Sequence, residues 1–283
     1  MLVSIITVCR NASATIDRTL ASVAKQTHAD IQYIVIDGAS TDDTKEIIAR
    51  YSESIDEFVS EEDSGIFNAM NKGIKRARGE LIYFLNADDY FCDATVIADV
   101  VRFVEEHPEG CVYYGGIEVR IAGKAPIEHM PAPPELAGET MVCGSLPHQG
   151  TFARRSVFER LGGFNETYRI HADYDWFVRV IADQDTVLLR MPRIIASFAM
   201  GATSSNLQAG QPEAYAIQNS AEYYQTEWWL RRRLELFQQE LLHCRIENAR
   251  LSAELAGRVA SSPPRTFLAK STLLKSLKRF VSS

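Results

Sequence analysis

Cysteine is sparse in this chain: Cys9, Cys92, Cys111, Cys143 and Cys244 are the five among 283 residues. They are odd in number, far apart and without a CxxC pair, which excludes the common zinc and dithiol frameworks and fits free thiols in a reducing cytoplasm. Long apolar runs are missing too. None approaches the roughly 20 residues of a membrane-spanning helix. The apolar start MLVSIITV has no basic segment before it and gives way at once to CRNASAT, so it is too short for a signal peptide. Neither GxGxxG nor GxxxxGK[ST] follows the first strand, which excludes a glycine-rich cradle for a dinucleotide or triphosphate. Positive charge is scarce in the body. The formal net charge is −7, and the five basic residues from Arg265 to Ser283, with no acid among them, leave −12 on the first 264 residues. An acidic body excludes a nucleic-acid partner, whereas the basic tail could meet an anionic membrane surface. The expectation is a cytoplasmic chain, free or peripheral on the inner face of the cell membrane.

What is present is ordinary globular composition, 46% hydrophobic and 24% charged, enough to build a core. The first hundred residues alternate strand and helix patterns. Val3–Val8 is apolar and β-branched, Ala14–Lys25 has apolar residues at helical spacing, and Tyr33–Ile36 is the next strand. A helix at Asp43–Tyr51, a strand at Glu57–Ser60, a helix at Ile66–Ala77 and a strand at Leu81–Leu85 follow. Strands separated by helices of this length imply right-handed βαβ units, hence an α/β fold with a mainly parallel sheet and helices on both faces.

Ligands of such sheets bind at the carboxyl ends of the strands. Those ends are Thr7–Asn11, Asp37, Glu61–Asp63 and Asn86-Ala-Asp-Asp89. Asp37 could accept a hydrogen bond from a base or a ribose hydroxyl, or simply cap the next helix. Acids crowded after Leu85 repel one another unless a cation sits among them, and a hard Mg²⁺ or Mn²⁺ suits oxygen ligands and bridges carboxylate to diphosphate. Asp88 is then the inner ligand, with Asn86 or Asp89 in support; the alternative is a helix N-cap before Ala94–Glu105. Further on, Asp173 opens a helix and is a candidate general base, although acids also favour a helix start for its dipole. His148 could contact a phosphate or an acceptor, or be a structural histidine.

Six strings occur in order: VSIITVCRN, VIDGASTDDT, SEEDSGIFNAMNKGIKRARGE, YFLNADDYF, PHQGTFARRSVFERLGGFNE and HADYDWFVRV. Over roughly residues 1–200 the chain resembles the family 2 inverting glycosyltransferases with the GT-A fold, particularly bacterial enzymes of O-antigen, capsule and exopolysaccharide assembly. The resemblance implies metal-dependent, non-processive transfer of one sugar from a nucleotide-sugar donor, a UDP-sugar favoured, to a saccharide acceptor that is lipid-linked. It also implies that the Thr7, Val8 and Asn11 strand end and Asp37 hold the nucleoside, with Asp63 beside the donor. Asn86, Ala87 and Asp88 stand at the family's Asp-x-Asp position for Mn²⁺ or Mg²⁺, His148 is placed with the donor-binding residues, and Asp173 stands at that of the base. Asn86 departs from the pattern, leaving Asp88 as the sole direct ligand, and Ala172 replaces a Glu that often precedes the base. No QxxRW string is present, which separates the chain from the processive synthases. Two alternatives are a sugar nucleotidyltransferase, which would need a glycine- and arginine-rich loop where CRNASAT stands, and a catalytically inactive coiled-coil scaffold.

The last third differs. Leu230, Leu234, Phe237, Leu241, Cys244, Asn248, Leu251 and Leu255 keep a 4-3 spacing, the seam of a long helix that pairs in a homodimer through 230–255 or folds back on the catalytic domain. After Ser261-Ser-Pro-Pro264, residues 265–281 place Phe267, Leu273, Leu274, Leu277, Phe280 and Val281 on one helical face and Lys275, Lys278 and Arg279 on the other. Such a helix lies in an anionic interface or docks on the body. The expected division is 1–210 catalytic, 211–260 helical and 261–283 tail.

Overall fold

Val3–Cys9 forms β1, buried along its whole length as its continuous apolar character requires. The computed structural model describes residues 1–201 and 207–261, with side chains within 1–201 and 210–254. After α1 (Ile16–Ala24), β2 (Ile31–Asp37) lies parallel to β1 in the register Val3↔Ile31 to Cys9↔Asp37. Then α2 (Thr44–Ala49) leads to β3 (Glu57–Ser60), parallel to β2, and α3 (Ile66–Ile74) leads to β4 (Leu81–Phe84), parallel to β1 on its other side.

Beyond β4 the pairing changes. In chain order come β5 (Tyr90–Phe91), α4 (Val96–Glu106), β6 (Val112–Arg120), β7 (Ile127–His129), α5 (Ala137–Cys143), β8 (Thr151–Arg154), α6 (Arg155–Leu161), α7 (Ala172–Ala182) and β9 (Leu188–Ala199). The sheet order is β3-β2-β1-β4-β8-β6-β9-β5, with β7 paired to β6. β8 is antiparallel to both β4 and β6, β9 is parallel to β6, and β5 is antiparallel to β9. The α/β class holds, but the sheet is mixed where the sequence pattern indicates a mainly parallel one. Its second half is built from strands with weak signals. β8 has four residues, and β9 contains Pro192 at the point where its register against β6 shifts between Tyr114 and Gly116. A proline is tolerated there because the ladder is already interrupted.

Side chains on the two faces of β1 meet different helices. Val3 and Ile5 join Ile16, Leu20 and Val23 of α1 in the main core. Ile6, on the opposite face by the two-residue strand period, meets α3 so closely that a Cβ on Gly73 would lie 2.4 Å from its Cγ2. Buried polar groups in this core are paired: Ser4 Oγ donates to Gln32 Oε1 at 2.6 Å, and Thr7 Oγ1 lies 3.0 Å from the Tyr33 hydroxyl. A second cluster holds α7 in place, with Phe158 stacked on Trp176 at 4.7 Å and Phe84 edge-on to Phe164 at 5.2 Å.

Two further helices follow, α8 (Leu207–Ser220) and α9 (Glu227–Ser261). The chain divides into one compact unit, Met1–Leu236, and a second, Phe237–Ser283, whose described part is the rest of α9. Within the first unit the root of α9 is well anchored. Trp229 is buried, Arg232 makes two bonds of 2.9 and 2.7 Å to the Glu139 carboxylate, and Arg233 donates to Asn219 Oδ1 at 2.8 Å. The basic segment 265–281 lies outside the described residues. Among the described residues no helix is long and apolar enough to cross a membrane.

Candidate active site

A cleft of about 580 Å³ opens where β1 and β4 end. Val8, Arg10 and Asn11 come from the end of β1, and Asn86, Ala87 and Asp88 follow β4. His148 comes from the turn before β8, and Asp173 from the first turn of α7. The structure therefore brings together Val8, Asn11, Asn86, Ala87, Asp88, His148 and Asp173 from among the sequence candidates. Asn11 makes the bend at the strand end. It adopts a left-handed backbone with φ of 50°, which asparagine tolerates better than most residues, and its Oδ1 accepts the Thr41 N–H at 2.9 Å.

Thr7, Asp37 and Asp63 do not line this cleft. Thr7 is fully buried against the Tyr33 hydroxyl. Asp37 is also fully buried, and its two oxygens accept the Ser40 N–H at 3.0 Å, the Ser40 hydroxyl, the Ser60 hydroxyl at 2.7 Å and the Cys9 thiol at 3.7 Å. The polar atoms of Thr7 and Asp37, both expected near a nucleoside, are thus engaged inside the chain. The same neighbourhood pushes the Cys9 thiol far up, through burial first and the Asp37 charge second, so it stays protonated and unreactive. Asp63 sits beside the cleft. Its Oδ1 accepts the Gly65 N–H at 3.0 Å, and its Oδ2 occupies the space a side chain at position 38 would need, 2.3 Å from where a Cβ on Gly38 would stand.

The two acids after β4 differ in environment. Among the described residues the Asp88 carboxylate has no hydrogen-bond or ion-pair partner, and it lines the cleft. Its backbone carbonyl is held by Arg120 Nη2 at 2.5 Å, and that guanidinium lies 4.5 Å from the centre of the Tyr90 ring. Asp89 is buried beneath. Its Oδ1 accepts the Ala199 N–H at 3.0 Å, its Oδ2 has no partner among the described residues, and burial together with the Asp88 charge pushes its carboxyl up to about 7. Asn86 Oδ1 is likewise buried without a partner among the described residues. An unpartnered amide oxygen two residues from an unpartnered carboxylate supplies the hard donors that Mg²⁺ or Mn²⁺ takes. Among the described residues no group of three His, Cys, Asp or Glu side chains is arranged to hold a metal. These residues thus fit a cation shared with a bound phosphate, not one caged by protein alone.

His148 joins this motif to α7. Its Nδ1 lies 3.0 Å from Asp173 Oδ2 and its Nε2 lies 3.2 Å from Asn86 Nδ2. With the amide donating to Nε2, the ring proton sits on Nδ1 and is donated to Asp173. When both nitrogens carry protons, the amide turns its otherwise unpartnered Oδ1 to Nε2. Burial works against the imidazolium, but the bond and charge of Asp173, with Asp89 and Asp88, outweigh it and raise the His148 pKa. Burial likewise opposes an ionised Asp173, and the bond to His148 outweighs it, so this carboxyl lies below its ordinary range. The arrangement keeps Asp173 charged, able to accept a proton, and open to the cleft.

A second cleft, of about 500 Å³, adjoins the first and shares Ile66, Phe67 and Arg169 with it. Its walls are polar, with Ser64, Asn68, Glu166, Thr167 and Tyr168. Glu166 bonds both Asn68 and Asn71 at 2.8 Å, which fixes this wall to α3. Sequence reasoning missed Arg10, Arg120 and Arg169. Arg10 directly follows the first strand, so the strand-end rule reaches it; nothing in the spacing marks the other two.

Solved structures define the class of the fold. The chain is similar to residues 1–349 of Staphylococcus aureus TarS, solved with UDP-GlcNAc, with a TM-score of 0.63 and 19% identity over 77% of this chain and 64% of that one. It thus spans just under two thirds of that structure. It is also similar to the mannosyltransferase PcManGT of Pyrobaculum calidifontis, solved with GDP-Man and Mn²⁺, with a TM-score of 0.57 and 18% identity over 92% of this chain and 81% of that one. This is the GT-A architecture. Residues 4–162 match Glycosyl transferase family 2, and a PGL/p-HBAD biosynthesis glycosyltransferase of Mycobacterium bovis is 30% identical over 203 residues, 69% of this chain and 75% of the relative. The chain belongs to glycosyltransferase family 2, which sets aside the nucleotidyltransferase and scaffold alternatives.

Proposed function

We propose that this enzyme transfers one sugar, with inversion, from a nucleotide-sugar donor to a hydroxyl of a lipid-linked saccharide acceptor in bacterial surface polysaccharide assembly. The observation that carries the reading is that two carboxylates open on one cleft: Asp173, held by His148, and Asp88, without a partner among the described residues. The Val8–Asn11 strand end is the wall for the nucleoside. Asp173 accepts the proton of the acceptor hydroxyl as that oxygen attacks the anomeric carbon, and the bond from this carbon to the diphosphate breaks on the opposite face. A carboxylate is a weak base, but it suffices when the proton moves late, after the attacking oxygen has become acidic. Asp88 and Asn86 would hold Mn²⁺ or Mg²⁺, whose charge offsets that of the departing diphosphate. The adjoining polar cleft is suited to saccharide hydroxyls on the acceptor side.

A UDP-sugar is the first donor to test, with GDP-sugars second, since UDP-GlcNAc and GDP-Man are bound in the two similar structures. Titration of UDP and GDP with and without Mn²⁺, followed by a hydrolysis screen across nucleotide sugars, tests the reading. Absence of metal-supported binding to any nucleoside diphosphate would overturn it.

The C-terminal region serves association and location in this reading. Leu230, Leu234, Leu241 and Leu251 are half-exposed on α9 at heptad spacing, which supports a homodimer through 230–255. The sequence of 265–281, basic on one face and apolar on the other, supports contact with an anionic membrane surface.

A further inference from the structure

Residues 162–171 form an irregular connection between α6 and α7, yet its last three residues are tightly held. Glu213, in α8, accepts three successive backbone N–H bonds: from Arg169 at 2.9 Å on Oε1, and from Ile170 and His171 at 2.9 and 3.0 Å on Oε2. A carboxylate gripping three amides is a strong local anchor. Burial alone would raise the Glu213 pKa, but these bonds outweigh it and hold the carboxyl below its ordinary range. Contact between α8 and the loop is close, because a Cβ on Gly210 would lie 2.5 Å from the His171 ring. The anchored residues lead straight into Ala172 and Asp173.

Fixing this backbone determines where Arg169 starts. Its side chain lines both clefts, and among the described residues its guanidinium has neither a carboxylate nor a carbonyl partner. Arg179, ten residues on, shows the contrast: its guanidinium is filled by Asp175 at 3.0 Å, the Leu161 carbonyl at 2.5 Å and the Gly163 carbonyl at 2.8 Å. A guanidinium without a carboxylate among the described residues, on an anchored backbone and lining the cleft that also contains Asp88, is matched to an oxyanion. Its planar fork suits phosphate oxygens in particular.

We infer that Arg169 binds the diphosphate of the nucleotide-sugar donor, and that Glu213 is a positioning residue that keeps Arg169 and Asp173 directed to the same cleft. The inference rests on the nucleotide-sugar reading above. Because the backbone is already held, only the side chain of Arg169 has to be ordered on binding, which lowers the entropic cost of the contact.

Titration of the full chain with UDP and GDP, each paired with its free nucleoside and with Mn²⁺ saturating, tests it. Arg169→Ala should weaken diphosphate binding about tenfold to hundredfold and leave nucleoside binding unchanged, with Arg169→Lys between. Equal effects on the diphosphate and its nucleoside, or no effect on either, overturn the role of Arg169. A wild-type chain that binds no nucleoside diphosphate overturns the underlying reading and the inference with it; a wild-type chain that binds one while Arg169→Ala binds it equally well overturns the inference alone. Glu213→Gln should weaken diphosphate binding several-fold and lower kcat at a temperature where the variant is folded, and Glu213→Asp, which keeps the charge, should fall between. A lowered melting temperature with diphosphate affinity and kcat both unmoved overturns the positioning role.

Discussion

His148 Nδ1 lies 3.0 Å from Asp173 Oδ2 across 25 positions of sequence. Both residues are braced from behind. Asp173 Oδ1 accepts the Tyr174 N–H at 2.8 Å, the Tyr174 hydroxyl bonds the Met141 carbonyl, and Gln218 Nε2 donates to that hydroxyl at 2.7 Å. A carboxylate held on two sides before substrate arrives has little reorganisation left to make.

Replacing Asp173 with Asn removes the proposed proton acceptor and keeps the shape. Transfer should fall about 10²- to 10⁴-fold while nucleotide affinity stays within about twofold. Initial rates and calorimetric titration check both. Substantial turnover by the variant would remove Asp173 from the role. His148→Ala should lower kcat less, since the base remains and only its bracing is lost.

Asp88→Asn should raise the Mn²⁺ concentration needed for half-maximal nucleotide binding by about tenfold, because an acidic oxygen is replaced by a weaker neutral donor. Asn86→Asp should do the opposite by completing an Asp-x-Asp pair. A manganese titration in which Asn86→Asp is indistinguishable from wild type would exclude position 86 from the cation site.

Gly73 tests the packing of α3. Alanine normally stabilises a helix interior by about 1 kcal/mol over glycine. Here the added carbon would lie 2.4 Å from Ile6 Cγ2, so overpacking reverses the sign and Gly73→Ala should cost about 1–2 kcal/mol. In an Ile6→Ala background the cost should vanish or become a gain. Urea unfolding of the four chains gives the coupling.

Glu213 should give stability a pH dependence. Its folded-state pKa is depressed, so its contribution is fully present above the unfolded value of about 4.3 and is lost as pH falls through the folded value. Glu213→Gln should therefore melt below wild type at pH 7, and the gap should close as the pH is taken from 5 down through the acid range. A gap of constant size would mean that the charge contributes nothing.

A chain ending after Leu236 retains the buried Trp229 and Arg233 and the whole first compact unit. Sedimentation should show it monomeric where the full chain is dimeric. An unchanged oligomeric state would sink the helical seam as the dimer contact.

Much of the first half was legible because apolar periodicity alternates cleanly there: Val3–Cys9 and Leu81–Phe84 read as buried strands, and Ile66–Ile74 as a helix. The Asn86 to Asp88 segment was legible because it follows such a strand directly. The strand-end rule does not say which way a side chain faces, and it gives no sign that the Asp37 carboxylate bonds Ser40 and Ser60. β8 and β9 escaped notice because the first is four residues long and the second holds Pro192. Contacts such as Glu213 with Arg169 join an irregular loop to a distant helix, and no local pattern encodes them.

The mixed sheet has a consequence for how this enzyme can change. The parallel run β3-β2-β1-β4 ends at β4, and antiparallel β8 lies beside it. Val8, Asn11 and Asp88 belong to the stretch that ends with β4 and its loop, whereas His148, Arg169 and Asp173 come from the stretch after β6. The carboxylate proposed for the cation, Asp88, and the carboxylate proposed as the base, Asp173, thus come from separate lengths of chain that meet in one cleft. A chimera joined between α4 and α5 could exchange the second stretch as a cassette, provided that it keeps the polar contacts across the junction, among them Asn86 with His148, Asn68 and Asn71 with Glu166, and Asp89 with the Ala199 N–H.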